Sequence, residues 1–265
     1  MRIWSSFNLA VVLLTSLSAA SLAGQREAER ALKSGNYAKA LAEFEELANR
    51  GDAGAQAMLG KMYARGQGVA TNHSKAAELF RRAALQGDAE GAFQLGVFYQ
   101  NGVGVGAHAD KAEAAKWLRQ SAGKGHPRAA YTLALMLLKG DGLPRSHDEG
   151  MVLMNQARRG QDMDAALYQR NQLDALGDQL KVRFEGGFGD GMETAVRIQG
   201  PEGKQDGAAI QRRFVETFFP GWQNYKQSLL SQDSKHIDAY EMTGPNGERE
   251  TVYFDVTNWY GGTAK

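Results

Sequence analysis

Apolar residues between positions 26 and 176 recur at spacings of three and four, the period that places them on one face of an α-helix. Short glycine-containing segments interrupt this pattern, and the pattern then starts again. The motif Leu59-Gly60-x-x-Tyr63 returns as Leu95-Gly96-x-x-Tyr99 and, in degraded form, from Leu133. A fixed period of roughly 35 residues is typical of helix pairs that stack on their neighbours. We therefore expect an α-helical solenoid.

The pattern predicts a leading helix pair, then three repeats that each contain an A helix and a B helix, and a terminal helix. The leading pair is predicted over residues 26–34 and 37–49, and the terminal helix over 164–176. The A helices are predicted over residues 55–64, 91–100 and 129–138, and the B helices over 74–86, 110–124 and 148–159.

Particular residues are expected to end these helices. Ser74, Asp110 and Asp148 are candidate N-caps of the B helices, because their side-chain oxygens can accept hydrogen bonds from the first turn. The glycines expected to take the left-handed conformation after the B helices are Gly87, Gly125 and Gly160. Gly66 and Gly68 are expected to form the turn from A to B, and Gly60 to allow a close approach inside helix A.

This repeat resembles the Sel1-like repeat family, a relative of the tetratricopeptide repeats. The family pattern reads A-x-x-x-L-G-x-x-Y-x-x-G-x-G-V, followed by K-A and A-A-x-x-G. The first copy matches it at Ala55, Leu59, Gly60, Tyr63, Gly66, Gly68, Val69, Lys75, Ala76, Ala83, Ala84 and Gly87. The second copy matches it at Leu95, Gly96, Tyr99, Gly102, Gly104, Val105, Ala122 and Gly125, with an insertion around residues 106–109. The third copy departs from it at Ala134 and Leu137.

The resemblance implies a scaffold whose concave face binds other proteins. On each A helix, the face opposite the positions of Leu59 and Tyr63 forms a mixed polar and apolar stripe, which is our candidate binding groove. We call this set the A-helix stripe, and its members are Met58, Lys61, Arg65, Gln94, Val97, Asn101, Thr132, Leu135 and Lys139. The alternative interpretation is that the stripe is a solvated helix face, with Val97 and Leu135 packing between repeats.

A small α+β domain is expected after the solenoid. Alternating strand patterns surround one amphipathic helix predicted over residues 208–219, and the segment Gly244-Pro245-Asn246-Gly247 predicts a hairpin turn. The predicted domains are a signal peptide (1–23), a helical array (24–176), a linker (177–192) and the α+β domain (193–265). The tail resembles an uncharacterised module of exported bacterial proteins at Ala195–Gly200, Pro220–Trp222, Gln227–Leu229 and Tyr253–Val256, and this resemblance implies no activity.

The N-terminus has the features of a secretory signal peptide. Arg2 precedes a mainly apolar stretch over residues 7–17, and Ser21-Leu22-Ala23 offers small residues for cleavage after Ala23. The alternative is an uncleaved anchor, but the apolar run is about half of the roughly 20 residues that a spanning helix needs. We therefore expect a periplasmic or secreted protein with no membrane span after cleavage. The chain has no cysteine, so disulfides cannot stabilise it.

No motif in the sequence predicts catalysis. Gly187-x-Gly189-x-Gly191 precedes a strand pattern rather than a helix and lacks the Lys-Ser or Lys-Thr of a phosphate loop. The histidines are scattered, and the absence of cysteine excludes thiol chemistry. We expect no catalytic residue, no metal and no cofactor. The formal net charge of +1 argues against a nucleic-acid partner.

Three functional hypotheses follow. The first is an exported, non-catalytic adaptor of the bacterial cell envelope that binds an unknown protein partner through the A-helix stripe. The second is a periplasmic immunity protein that binds and neutralises an incoming toxic effector. The third is a hydrolase whose site lies in the C-terminal domain, and a solid aromatic core there would argue against it.

Overall fold

The computed structural model describes residues 24–106, 108–188, 195–199, 207–232, 235–244, 247 and 249–257. The predicted signal peptide, most of the Gly187–Gly191 loop and the centre of the hairpin turn at Pro245-Asn246 lie outside these residues. The chain divides into two compact units, Met1–Arg145 and Ser146–Lys265.

In the first unit, the regular secondary structure of the described residues is α-helical. Residues 24–33 form α1. The helices that follow are α2 (Tyr37–Asn49), α3 (Ala53–Arg65), α4 (His73–Leu85), α5 (Ala89–Asn101), α6 (Lys111–Gly123) and α7 (Pro127–Lys139). Here α3, α5 and α7 are the A helices, and α4 and α6 are B helices. Each lies within two residues of its predicted bounds, because the apolar periodicity and the glycine turns both constrain it.

Side chains cap the N-termini of these helices, although two of the predicted N-caps are wrong. Asp110 caps α6 as expected, accepting from the Glu113 amide at 2.9 Å. The cap of α4 is Asn72 rather than Ser74, and the cap of α8 (His147–Arg159) is Ser146 rather than Asp148. In both cases the helix begins earlier than expected, which places Ser74 and Asp148 inside the first turn, where an N-terminal dipole still favours polar or acidic groups.

Glycines close the turns from A to B as predicted. Gly66 ends α3 with φ of 68°, and Gly68 has φ of 73°. A Cβ on Gly68 would lie 2.8 Å from the carbonyl oxygen of Tyr37, the first residue of α2. A Cβ on Gly104 would likewise meet the carbonyl oxygen of His73, the first residue of α4, and one on Gly142 would meet the side chain of Lys111, the first residue of α6. The second glycine of each turn therefore sets how closely one repeat packs on the previous one.

Gly60 also has the packing role expected of it. A Cβ on Gly60 would lie 2.6 Å from the Phe80 ring, and one on Gly96 would lie 2.8 Å from Leu118. Gly87 and Gly125 take left-handed backbone angles as predicted. Gly160 does not, because its φ is −75° and Gln161 takes the positive φ of 65° instead.

The described part of the second unit joins three helices to a mixed sheet. Its elements are α8 (His147–Arg159), α9 (Met163–Leu180), β1 (Arg183–Glu185), β2 (Val196–Gln199), α10 (Gly207–Phe218), β3 (Gln223–Gln232), β4 (Lys235–Thr243) and β5 (Arg249–Asp255). The strand order is β1-β2-β5-β4-β3. All neighbouring strands are antiparallel except β2 and β5, which pair in parallel with Val196 opposite Phe254.

Aromatic side chains form the core of this unit. Phe214 of α10 is fully buried and contacts Phe254 of β5 edge to face, with ring centroids 5.3 Å apart. Its ring also lies 4.8 Å from that of Phe218 and 5.9 Å from that of Phe184. Helices in a repeat arrangement, followed by a small strand-containing region, confirm the predicted fold class. The predicted domain bounds at residues 176 and 192 stay a prediction.

Candidate interaction surface on the A helices

The A-helix stripe occupies equivalent positions on α3, α5 and α7. Each helix is 13 residues long, so the same register runs through all three. The equivalent sets are Met58, Gln94 and Thr132; Lys61, Val97 and Leu135; and Arg65, Asn101 and Lys139. Among the intervening positions that match the family pattern, Leu59, Gly60, Tyr63, Leu95 and Gly96 are buried, and Tyr99 is half-buried. With the exception of Met58, the stripe thus holds side chains that lie outside the core cluster of the array.

Members of the stripe differ in exposure and in what they contact. Arg65, Asn101 and Lys139 are exposed, and the other six are half-buried. Met58 packs against the core cluster of the array, so its apolar side chain has a structural role. Thr132 donates to the Arg128 carbonyl at 2.8 Å, and Asn101 donates to the Val97 carbonyl at 3.0 Å.

A single carboxylate joins two members of the stripe. Glu90, in the first turn of α5, forms an ion pair with Lys61 of α3 at 3.0 Å. The same carboxylate accepts a hydrogen bond from Gln94 at 2.8 Å. Its second oxygen lies 3.2 Å from Nε2 of His126, the N-cap of α7. Glu90 therefore links three successive A helices.

The position of His126 explains which ring nitrogen carries the proton. Its Nδ1 accepts the Ala129 amide at 3.2 Å, as Asp52 and Asp88 do for α3 and α5. Because Nδ1 is the acceptor, Nε2 is the nitrogen that donates to Glu90. The imidazole also stacks on Phe93, with ring centroids 4.7 Å apart.

These contacts favour the charged form of Glu90. The hydrogen bond from His126 is the largest cause, and those from Gln94 and Lys61 act in the same direction. Together they lower the pKa of Glu90 to about 2, although partial burial acts in the opposite direction. The carboxylate is therefore charged throughout the neutral range and holds Lys61 and Gln94 in place.

Sequence reasoning missed Glu90 and His126. Glu90 lies four residues before Gln94, so extending the stripe by one helical turn would have included it. The corresponding residue of α7 is Arg128, whose guanidinium lies 5.2 Å from the centroid of the Tyr131 ring. The role of His126 left no sequence signal, since only the stacking of the repeats brings it to Glu90.

Comparison with protein families addresses the repeats directly. A model of the Sel1 repeat matches residues 53–88, 89–126 and 127–162. Residues 53–162 therefore form three consecutive Sel1 repeats. Sel1 repeats serve as scaffolds for protein–protein interaction, which agrees with the coarse functional expectation for this chain.

Solved structures show the same repeats. The Sel1 repeat protein from Oxalobacter formigenes is 26% identical with a TM-score of 0.50, over 54% of this chain and 58% of that chain. A protective antigen of uropathogenic Escherichia coli, c5321, has an SLR fold and is 24% identical with a TM-score of 0.53, over 62% of this chain and 35% of that chain. This chain thus covers less than two thirds of either protein. A search of curated proteins gives no match.

Within the part of the chain that the structure describes, no cluster of three or more His, Asp or Glu side chains is placed to hold a metal ion. A shallow cavity at the ends of β4 and β5 is lined in part by Glu241, Arg249 and Glu250, and Glu250 forms an ion pair with Arg159. None of the described helices is long and apolar enough to cross a membrane.

Proposed function

We propose that this chain is an exported, non-catalytic scaffold that binds a protein partner in the bacterial cell envelope through the A-helix stripe. The observation that carries the proposal is that two sets of residues on α3, α5 and α7 have different roles. Residues of the repeat pattern pack into the core, while the stripe offers a mixed surface of cations, amides and apolar groups in one register. Stacked repeats commonly bind proteins on such extended surfaces.

Export is supported by the sequence of residues 1–23, which has the charge, apolar run and cleavage site of a signal peptide. Fusing the full chain to a reporter enzyme that is active only after export should give activity. Replacing Leu13 and Leu14 with Arg should abolish it, because charges in the apolar run block insertion. N-terminal sequencing of the exported chain should begin at Gly24.

The absence of a catalytic role is supported by the second unit. The aromatic side chains that could have lined a pocket instead form a core around Phe214, as expected of a structural domain. We therefore assign partner binding, rather than hydrolysis, to the chain as a whole.

The test of the stripe is capture of envelope proteins by the chain from Gly24 to Lys265. Arg65→Glu with Lys139→Glu should abolish capture of any partner that the unsubstituted chain retains. Both residues are exposed in the last turns of α3 and α7, so the change affects surface charge rather than packing. Lys61 is left intact because Glu90 depends on it.

A matched control makes the same charge change near the C-terminal ends of two B helices. Arg82 lies in the last turn of α4 and Lys124 caps α6, and both are exposed. Arg82→Glu with Lys124→Glu carries an equal cost against the helix dipole but leaves the A-helix stripe unchanged. Capture should survive in this control, and loss in both variants or in neither would contradict the assignment to the stripe.

The identity of the captured protein then decides between the two binding hypotheses. A resident envelope protein supports the adaptor. A toxic enzyme of another cell, neutralised on binding, supports the immunity protein instead.

A further inference from the structure

The outermost strand of the described sheet is β3, and it pairs on one side with β4. It is ten residues long, whereas β1 at the opposite edge has three. Long edge strands offer a row of backbone donors and acceptors to a further strand, and proteins usually block them with charges, prolines or bulges. Between Gln227 and Gln232, β3 has no charged residue and no proline.

The direction of the free backbone groups follows from one hydrogen bond. The Val256 amide donates to the His236 carbonyl at 2.8 Å, so the backbone of His236 faces β5. Ser231 lies opposite His236 on β3. Since paired residues of an antiparallel ladder alternate between bonded and non-bonded positions, the amide and carbonyl of Ser231 point to the outer edge. The same holds for Leu229 and Gln227.

Apolar side chains accompany these free backbone groups. Leu229 is 46% exposed and Leu230 is 38% exposed, and they lie on opposite faces of the sheet. Lys226, the single charged residue of β3, forms an ion pair with Glu241 of β4 at 3.6 Å. A bulge between Asn224 and Lys226 limits the regular part of the strand to its second half.

We propose that β3 pairs in antiparallel fashion with β3 of a second copy of this chain, about a two-fold axis at Leu229. In this register Leu229 lies opposite its own copy, and Gln227 lies opposite Ser231. All three residues have outward-facing backbone groups. In each hydrogen-bonded pair, the amide and carbonyl of one chain can therefore bond to the carbonyl and amide of the other. Lys226 lies opposite Gln232, and no like charges face each other. The result is one continuous sheet through both copies.

A second copy satisfies this edge better than an unrelated strand because the same short segment supplies both sides of the pairing. A two-fold contact uses the same patch twice, so it must be self-complementary. Here the central Leu229 pair is flanked by glutamine and serine on both sides, and Leu230 lies opposite Ser228 on the other face. The inference does not depend on the function proposed for the A-helix stripe.

The first test is the mass of the chain from Gly24 to Lys265 by sedimentation equilibrium over a range of concentrations. We expect a reversible dimer. Leu229→Lys places two ammonium groups against each other on the axis, so it should raise the dimer dissociation constant about tenfold or more. Leu85→Lys is the matched control, since Leu85 on α4 is 72% exposed and lies far from β3 in the sequence. The control should dimerise like the unsubstituted chain.

The second test fixes the register, and it has no background because the chain lacks cysteine. Two cysteines introduced by Leu229→Cys would have Cα atoms about 5.5 Å apart, within the range of a disulfide. Those introduced by Lys226→Cys would lie about 20 Å apart along the strands. Oxidation should therefore cross-link the first variant and not the second. A monomer at all concentrations, a dimer insensitive to Leu229→Lys, or cross-linking at position 226 would each overturn the proposal.

Discussion

The two units of this chain have cores of different kinds. In the first unit alanine predominates among the buried apolar residues, with single larger side chains such as Phe44 and Phe80 between them. In the second unit the core is a cluster of phenylalanines around Phe214. Small residues allow helices that are neighbours in sequence to approach closely, whereas rings can join segments that are distant in sequence. The first unit should therefore respond to damage locally and the second as a whole.

The largest expected effect is that of Phe214→Ala. Removing a fully buried ring from the centre of the second unit should lower its free energy of unfolding by about 3–5 kcal/mol. Hydrogen exchange measured by mass spectrometry should show lost protection in α10 and in every described strand that contacts it. Phe80→Ala is the counterpart in the first unit, and its loss of protection should concentrate in α3, α4 and α5. Equal loss throughout the first unit would remove the contrast.

Gly60→Ala should have an intermediate effect. The new Cβ would lie 2.6 Å from the Phe80 ring, and the resulting strain outweighs the gain of about 1 kcal/mol in helix propensity. We expect a net loss of about 1 kcal/mol, measured by urea denaturation. Ala134→Gly at the equivalent position of α7 should also destabilise, by about 1–2 kcal/mol, through lost helix propensity and the loss of a fully buried methyl group. A stabilised Gly60→Ala variant would show that the helices can separate without cost.

Glu90→Gln tests the link between repeats. The pKa of Glu90 is lowered from 4.5 to about 2, so the unfolded chain takes up the proton first as the pH falls. The stabilisation is complete above pH 4.5 and is lost between pH 4.5 and about 2. The variant should lose about 1 kcal/mol at pH 7, after allowance for solvent screening, and should show a weaker pH dependence in that window.

The control for this experiment is Glu46→Gln. Glu46 of α2 forms an exposed ion pair with Arg50, the C-cap residue of the same helix, so the pair joins no repeats. A loss at pH 7 as large as that of Glu90→Gln would contradict a special role for the link between α3, α5 and α7.

The smallest expected effect is a gain in stability. Gln161 has a φ of 65° at the position where Gly87 and Gly125 have φ of 87° and 84°. Gln161→Gly should relieve this strain and raise the free energy of unfolding. The net gain should be only about 0.5 kcal/mol, because glycine also increases the entropy of the unfolded chain, which opposes folding. Thermal denaturation should detect the gain, and the reverse change, Gly87→Gln, should lower stability.

Helices were more predictable from the sequence than the sheet. The periodicity located every described helix because the buried face of a helix is visible in its own sequence, as Ala55 and Leu59 show on α3. The strand order could not be read in this way. The parallel pairing of Val196 with Phe254 joins segments far apart in the chain, and local pattern holds no information about such a contact.

The candidate surface was also predictable from the sequence only in part. Helical spacing alone identified the positions of Lys61 and Gln94, and both remain predicted binding residues. Their common contact with Glu90 depends on the distance between α3 and α5, which only the stacked helices define. Met58 was placed on the stripe by the same spacing, yet its side chain packs on the core because methionine is long enough to reach it.

The contact between Gly68 and the start of α2 has a consequence for how such a chain tolerates changes in length. Gly68, Gly104 and Gly142 set the spacing of successive repeats through their close contacts with the preceding helix pair. Each of these glycines precedes the loop that leads into the B helix. The second repeat has a longer connection than the first, between Gly104 and the Asp110 cap, yet Gly104 approaches His73 as Gly68 approaches Tyr37. Insertions there leave the phase of the stack unchanged, so this loop is the place where a repeat can acquire new sequence without shifting its neighbours.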